Sequence, residues 1–181
     1  LLVLDGAYAE FVRKNDYASG IELASQFENV MMTRTFSKLY GLAGLRVGWG
    51  YAPAHVVDAI ERVRMPFNVN LAAQAVAIAA LEDEAFVEAS LAHNDRELVR
   101  LAGELRALGL DVIDGVGNFC VAKFPETKGK TAAEALAYMK ERGVTVRGLG
   151  GYKMPNHLRV SVGTVEANNA ALKLLKEFLG K

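Results

Sequence analysis

The sequence predicts an α/β fold in two parts, and three observations predict it. Over residues 1–70, apolar runs of strand length alternate with segments of helical spacing, the pattern of a sheet covered by helices. The first run, LLVLD at 1–5, is continuously apolar and ends in an acid, as a buried parallel strand does where its C-terminal end meets a site. After Gly109 the style changes to short strand patterns interleaved with two capped helices, which reads as a smaller α+β part.

The elements follow in order. NVMMTRTF (29–36) is a second strand and LRVGWGYA (45–52) a third, with Gly48 and Gly50 allowing close approach. IELASQF (21–27) is a short helix between the first two strands. PAHVVDAIERVR (53–64) places Pro at a helix start and spaces Val56, Val57, Ile60 and Val63 helically. MPFNVN (65–70) breaks the pattern. LAAQAVAIAAL (71–81) is too short for a membrane span, carries Gln74, and reads as a buried helix. LEDE is a polar break. Residues 85–108 form a long amphipathic helix, with Phe86, Leu91, Leu98, Leu101, Leu105 and Leu108 near one stripe and Gly109 as its stop. LDVIDG, NFCVAKF, VTVRGL and HLRVSVG are the later strand segments. The helix at 131–142 opens on a capping box, Thr131 with Glu134, and stops at Gly143. Thr164 caps a last helix at 165–179.

Composition narrows the function. Lys+Arg and Asp+Glu both total 21, so the 181-residue chain is formally neutral and carries no nucleic-acid footprint. One cysteine excludes an internal disulfide and fits a reducing compartment. LLVLD is apolar but shows neither the basic residues nor the cleavage-type site of a signal peptide, and is not expected to be one. A chain that opens without Met inside a strand needs partners for that strand's edge, so an upstream segment is expected. His55, His93 and His157 show no metal-ligand spacing, and Cys120 alternates with apolar neighbours as a core thiol does.

Four pieces carry chemistry. Asp5 and Tyr8 sit in DGAY at a strand end. Thr35, Ser37 and Lys38 put hydroxyls and a lysine in a turn suited to an anion. Arg46 returns among Gly41, Gly44, Gly48 and Gly50, where its guanidinium fork can reach the same anion. On the strand at 157–163, alternation sends Arg159, Ser161 and Gly163 to one face and Leu158, Val160 and Val162 to the other, with Arg147 nearby in TVRGLGGY. Taken singly, each has an ordinary reading: a turn acid, a part-buried tyrosine, a solvated loop lysine, exposed or salt-bridged arginines.

Together, D-x-A-Y, S-K-x-x-G-L-A-G-L-R-V-G and L-R-V-S-V-G-T resemble the fold-type I aminotransferases that use pyridoxal 5′-phosphate, over essentially the whole chain. TFSKLYGLAGLRVGWGYA, MPFNVN and VRGLGGYKMPNHLRVSVGT look closest to the histidinol-phosphate group. The resemblance implies that residues 1–70 are the C-terminal part of the coenzyme-binding large domain, a mostly parallel sheet with helices. It makes residues 71–181 connecting helices and a small C-terminal domain.

It further implies roles. Lys38 would hold the coenzyme aldehyde covalently and shuttle a proton. Asp5 would pair with the pyridine nitrogen and Tyr8 with the phenolic oxygen. Thr35, Ser37 and Arg46 would bind the coenzyme phosphate. Arg159 would clamp a substrate carboxylate, and Arg147 would meet the phosphate of histidinol phosphate. The implied enzyme is a cytoplasmic homodimer that exchanges an amino group between a small amino donor and a 2-oxo acid, histidinol phosphate and 2-oxoglutarate first. Aromatic amino-acid transamination, phosphothreonine decarboxylation and the ligand-sensing half of a transcription regulator are the competing implications. No metal, membrane or nucleic acid is implied. The family's first half is absent from these residues, so the 181 residues alone are expected neither to bind the coenzyme tightly nor to transaminate.

Overall fold

A computed structural model describes residues 1–181. The chain divides into two compact units, Leu1–Leu91 and Ala92–Lys181.

The first unit is built on a three-stranded sheet in the order β1 (Leu2–Asp5), β2 (Val30–Thr35), β3 (Gly48–Tyr51). β1 and β2 run parallel, with Asp5 opposite Thr33, whereas β3 pairs antiparallel to β2 with Gly48 opposite Thr35. A side chain at 48 is excluded, because a Cβ there would lie 2.6 Å from the Arg34 carbonyl oxygen. β3 is shorter than its sequence pattern, because Ala43–Leu45 winds a single 3-10 turn and Arg46 then takes a left-handed conformation (φ 54°). Helix α1 (Ile21–Gln26) covers one face of this sheet, where Ala24, Val30 and Met32 form a small buried cluster against Leu4. Helices α2 (Ala54–Val63), α3 (Leu71–Glu82) and the first turns of α4 (Glu84–Ala107) complete the unit.

Two burial expectations are corrected here. β1 is not buried: it pairs only with β2, and Leu2 and Val3 stand about half exposed. α3 is not buried either. Only Ala73 and Ala77 are covered, while Leu71, Val76, Ile78 and Leu81 face outward. The physical reason is the same for both. An all-round apolar segment needs cover on every side, and this chain supplies cover on one side only.

The second unit holds an antiparallel sheet in the order β4 (Asp111–Ile113), β5 (Phe119–Lys123), β7 (Met154–Ser161), β6 (Arg147–Leu149). The rest of α4, α5 (Ala132–Glu141) and α6 (Val165–Leu179) pack on it around one core. Leu101, Leu105, Cys120, Phe124, Met139, Leu158 and Leu175 are its largest fully buried side chains apart from small residues. Burial pushes the Cys120 thiol up to about 11, so it is an inert core group at neutral pH. The caps are as the sequence reads. Thr131 accepts from the Glu134 N–H at 3.3 Å while Glu134 accepts from the Thr131 N–H at 3.0 Å, and Thr164 accepts from the Ala167 N–H at 3.2 Å.

Candidate active site

Each unit carries its own group of candidate residues. In the first unit, Asp5 closes β1 and Thr35 closes β2, so both stand at the C-terminal ends of adjacent parallel strands, where ligands of open α/β sheets bind. The Asp5 carboxylate is oriented by its own loop, since Oδ1 accepts from the Ala7 N–H at 3.1 Å. Lys38 lies in the turn that leaves β2. Its backbone is held there by the Gly41 N–H on the Lys38 carbonyl (3.0 Å) and the Leu42 N–H on the Phe36 carbonyl (3.0 Å). The next side chain, Leu39, is buried with Phe11 and Leu91, and Tyr8 and Val87 pack on that cluster. One apolar cluster therefore anchors both the lysine turn and the DGAY loop. Its consequence is that the Lys38 ammonium stands over the Tyr8 ring, 5.4 Å from its centroid.

The anion donors converge by the same local geometry. Thr35 Oγ1 accepts from the Ser37 N–H at 3.1 Å, which draws the turn tight against the strand end. Left-handed Arg46 folds its side chain back, and its Nη1 donates to Ser37 Oγ (3.3 Å) and to the Ala43 carbonyl (2.6 Å). Two hydroxyls, a guanidinium and a lysine amine thus come from the single segment 35–46, with Thr35, Ser37 and Arg46 linked by hydrogen bonds, a donor set that suits a phosphate monoester. With a carboxylate on the neighbouring strand end, the set fits a phosphorylated, protonated pyridine.

In the second unit, alternation on β7 holds. Leu158 and Val160 are buried in the core and Arg159 lies on the opposite face. Arg147 on edge strand β6 pairs directly with Arg159 across the ladder. Like charges placed opposite each other repel, so the sheet invests in two guanidinium groups on one face. Aromatic rings support both. The Arg159 guanidinium lies 4.9 Å from the Phe119 centroid, and that of Arg147 lies 5.7 Å from Tyr152, whose hydroxyl accepts from Nη2 at 3.3 Å. Arg159 is half-buried rather than solvent-facing, and its Nε is buried with no partner. Both arginines line a cavity of about 590 Å³ with Ser161, Gly163 and Asn168. Two cations on one wall and an unsatisfied buried donor are features that suit an anion.

Some functional groups escaped the sequence reading. Asn168 and Glu97 are buried, and Asn168 Nδ2 donates to Glu97 Oε2 at 2.8 Å while its Oδ1 accepts from the Gly163 N–H at 2.9 Å. His93 Nε2 donates to the Gly163 carbonyl at 2.8 Å. This network pins the chain just beyond the Arg159 strand. The Arg100 guanidinium, then Asn168, holds the Glu97 carboxyl down at about 2. In the first unit, Arg34 and Glu10 form an ion pair (3.4 Å) on largely buried side chains. Arg34 was legible in one respect: it continues the alternation of Val30 and Met32, which puts a charge on the covered face of β2.

The model of the family "Aminotransferase class I and II" matches residues 1–175. A histidinol-phosphate aminotransferase of Rhodopseudomonas palustris is 52% identical over 181 residues, which are 100% of this chain and 50% of that protein. The chain therefore spans about half the length of the curated relatives it matches. A histidinol-phosphate aminotransferase of Sinorhizobium meliloti, solved in complex with pyridoxal-5′-phosphate, superposes with a TM-score of 0.89 at 26% identity, over 99% of this chain and 49% of that one. An L-threonine-O-3-phosphate decarboxylase of Porphyromonas gingivalis shares the fold, with a TM-score of 0.81 at 24% identity over 99% of this chain and 55% of its own.

Proposed function

This chain belongs to the class I and II aminotransferases, and from that premise we propose that it supplies the coenzyme-lysine part of a pyridoxal-phosphate enzyme. That enzyme moves an amino group between histidinol phosphate and 2-oxoglutarate. The observation that carries the reading is the convergence of Lys38, Tyr8, Ser37 and Arg46 in one turn-and-loop pair, held by a shared apolar cluster. The half-identical relative named for histidinol phosphate supports the choice of donor.

When bound, the coenzyme supplies an electron sink for the carbanion formed at the substrate Cα. The rest falls to the chain. Arg46, Thr35 and Ser37 would hold its phosphate. The Asp5 carboxylate would pair with the pyridine nitrogen and keep a proton there. The Tyr8 hydroxyl would hydrogen-bond the ring oxygen. Lys38 would hold the coenzyme through Nζ and serve on that atom as the proton carrier. Arg159 takes a substrate carboxylate, and Arg147, on the same cavity wall, takes the phosphate of histidinol phosphate. The complete enzyme works as a cytoplasmic homodimer on small molecules. The aromatic transaminase, phosphothreonine decarboxylase and regulator readings have no observation of their own in their favour.

Single-turnover half-reactions with the complete enzyme test the substrate. Histidinol phosphate is expected to convert bound coenzyme at least roughly tenfold faster than phenylalanine, the scale of one recognised ionic group. Equal rates would remove the histidinol-phosphate assignment.

A further inference from the structure

Arg34 is a largely buried charged residue of the first unit that the chemistry above leaves unused. It stands on the covered face of β2, in line with buried Met32, and its side chain is only 9% exposed. Its guanidinium meets three separate segments. Nη1 donates to Glu10 Oε1 at 3.4 Å, in the turn that follows Tyr8. Nη2 donates to the Ser19 carbonyl at 3.3 Å, at the entry to α1. Nε lies 3.1 Å from where a Cβ of Gly6 would be, so the group packs directly beneath the residue after Asp5. Glu10 and Arg34 also act electrostatically on Tyr40, two residues past Lys38, whose hydroxyl is pushed up by burial first and by Glu10 second. Arg34 thus meets the loop that carries Asp5 and Tyr8 directly, from the strand that runs into the Lys38 turn.

We infer that Arg34, through its ion pair with Glu10 and its bond to the Ser19 carbonyl, is the positioning residue that holds the Asp5–Tyr8 loop against the Lys38 turn. The inference rests on the reading of Asp5, Tyr8 and Lys38 as coenzyme residues. A buried ion pair of this kind adds little stability over an apolar pair of similar volume. Its value lies in direction: a planar fork fixes the loop at two bonds, and a lysine cannot reproduce that fork. Arg34 Nε and Glu10 Oε2 are buried without hydrogen-bond partners of their own, so the pair is not fully satisfied within this chain.

The test uses the complete polypeptide, titrated with pyridoxal phosphate and followed by the visible band of the lysine-bound coenzyme. Arg34→Met alone leaves the Glu10 carboxylate buried without its counter-charge. The deciding variants are therefore the double variant Arg34→Met with Glu10→Gln, and Arg34→Lys, each checked for wild-type circular dichroism. Both are expected to weaken coenzyme affinity, the double variant by roughly tenfold or more, since small misplacements of a site cost on that order. Both are also expected to move the pH midpoint of the band, which a purely structural residue leaves in place. Wild-type affinity and midpoint in either folded variant overturn the inference alone. A wild-type protein with no band that depends on Lys38 overturns the coenzyme reading and this inference with it.

Discussion

Glu97 shows how a single side chain can serve a site it never touches. It is 3% exposed, yet ionised, because Arg100 donates to it at 2.7 Å and Asn168 at 2.8 Å. Asn168 in turn fixes Gly163, four residues along from Arg159. The linkage sign follows from the direction of the shift. The folded carboxyl titrates at about 2, below its ordinary 4.5, so the unfolded chain takes up the proton first as pH falls. Its stabilisation is fully present above pH 4.5 and is lost as pH drops from there toward 2. Urea midpoints of wild type and Glu97→Gln, followed across that window, are expected to converge as pH falls. A gap that stays constant from pH 6 to pH 2.5 would contradict this account. Lys38 makes the complementary point. Nothing intrinsic distinguishes it from any exposed lysine, and its meaning comes from Tyr8, Ser37 and Arg46 around it.

At the level of elements, the caps explain why the helices of the second unit fall where the sequence puts them. α5 begins at a complete capping box, and Glu134 gathers three donors: the Gly129 and Thr131 N–H groups and the Thr131 hydroxyl. The hydrogen bonds from Thr131 hold the Glu134 carboxyl below its usual range. Thr131→Ala is expected to lower stability by about 1 kcal/mol, measured by denaturant unfolding, with Ser at 131 recovering most of it. A neutral Thr131→Ala would show that the box contributes nothing beyond propensity. Caps, alternation and glycine stops are local signals, so α5, α6 and β7 were legible in the sequence, and so was the outward face of Arg159. Cover is not a local signal. The apolar character of 1–5 and 71–81 was plain, but whether another element lies over β1 or α3 depends on tertiary neighbours. Arg34 is the opposite case: its spacing from Val30 and Met32 marks its face of the strand, but nothing local in the sequence shows the loop that closes over its charge.

At the scale of the molecule, the two units differ in completeness. The second has one continuous core and few large apolar groups left uncovered. The first leaves Leu1, Val63, Met65, Phe67 and Leu71 strongly exposed, and Phe67 also holds a left-handed backbone (φ 54°) that a bulky side chain rarely adopts. Nothing in the chain's own contacts explains that conformation. No helix is long and apolar enough to cross a membrane, so lipid-spanning helices do not account for the uncovered residues. The chain matches relatives twice its length over half of each, and its coenzyme reading is therefore best tested on the complete polypeptide. The direct measurement is borohydride reduction in the presence of pyridoxal phosphate, followed by peptide mass mapping. The account predicts one pyridoxyl group, on Lys38, that is absent from Lys38→Ala. A label on another lysine, or no stoichiometric label at all, would contradict it.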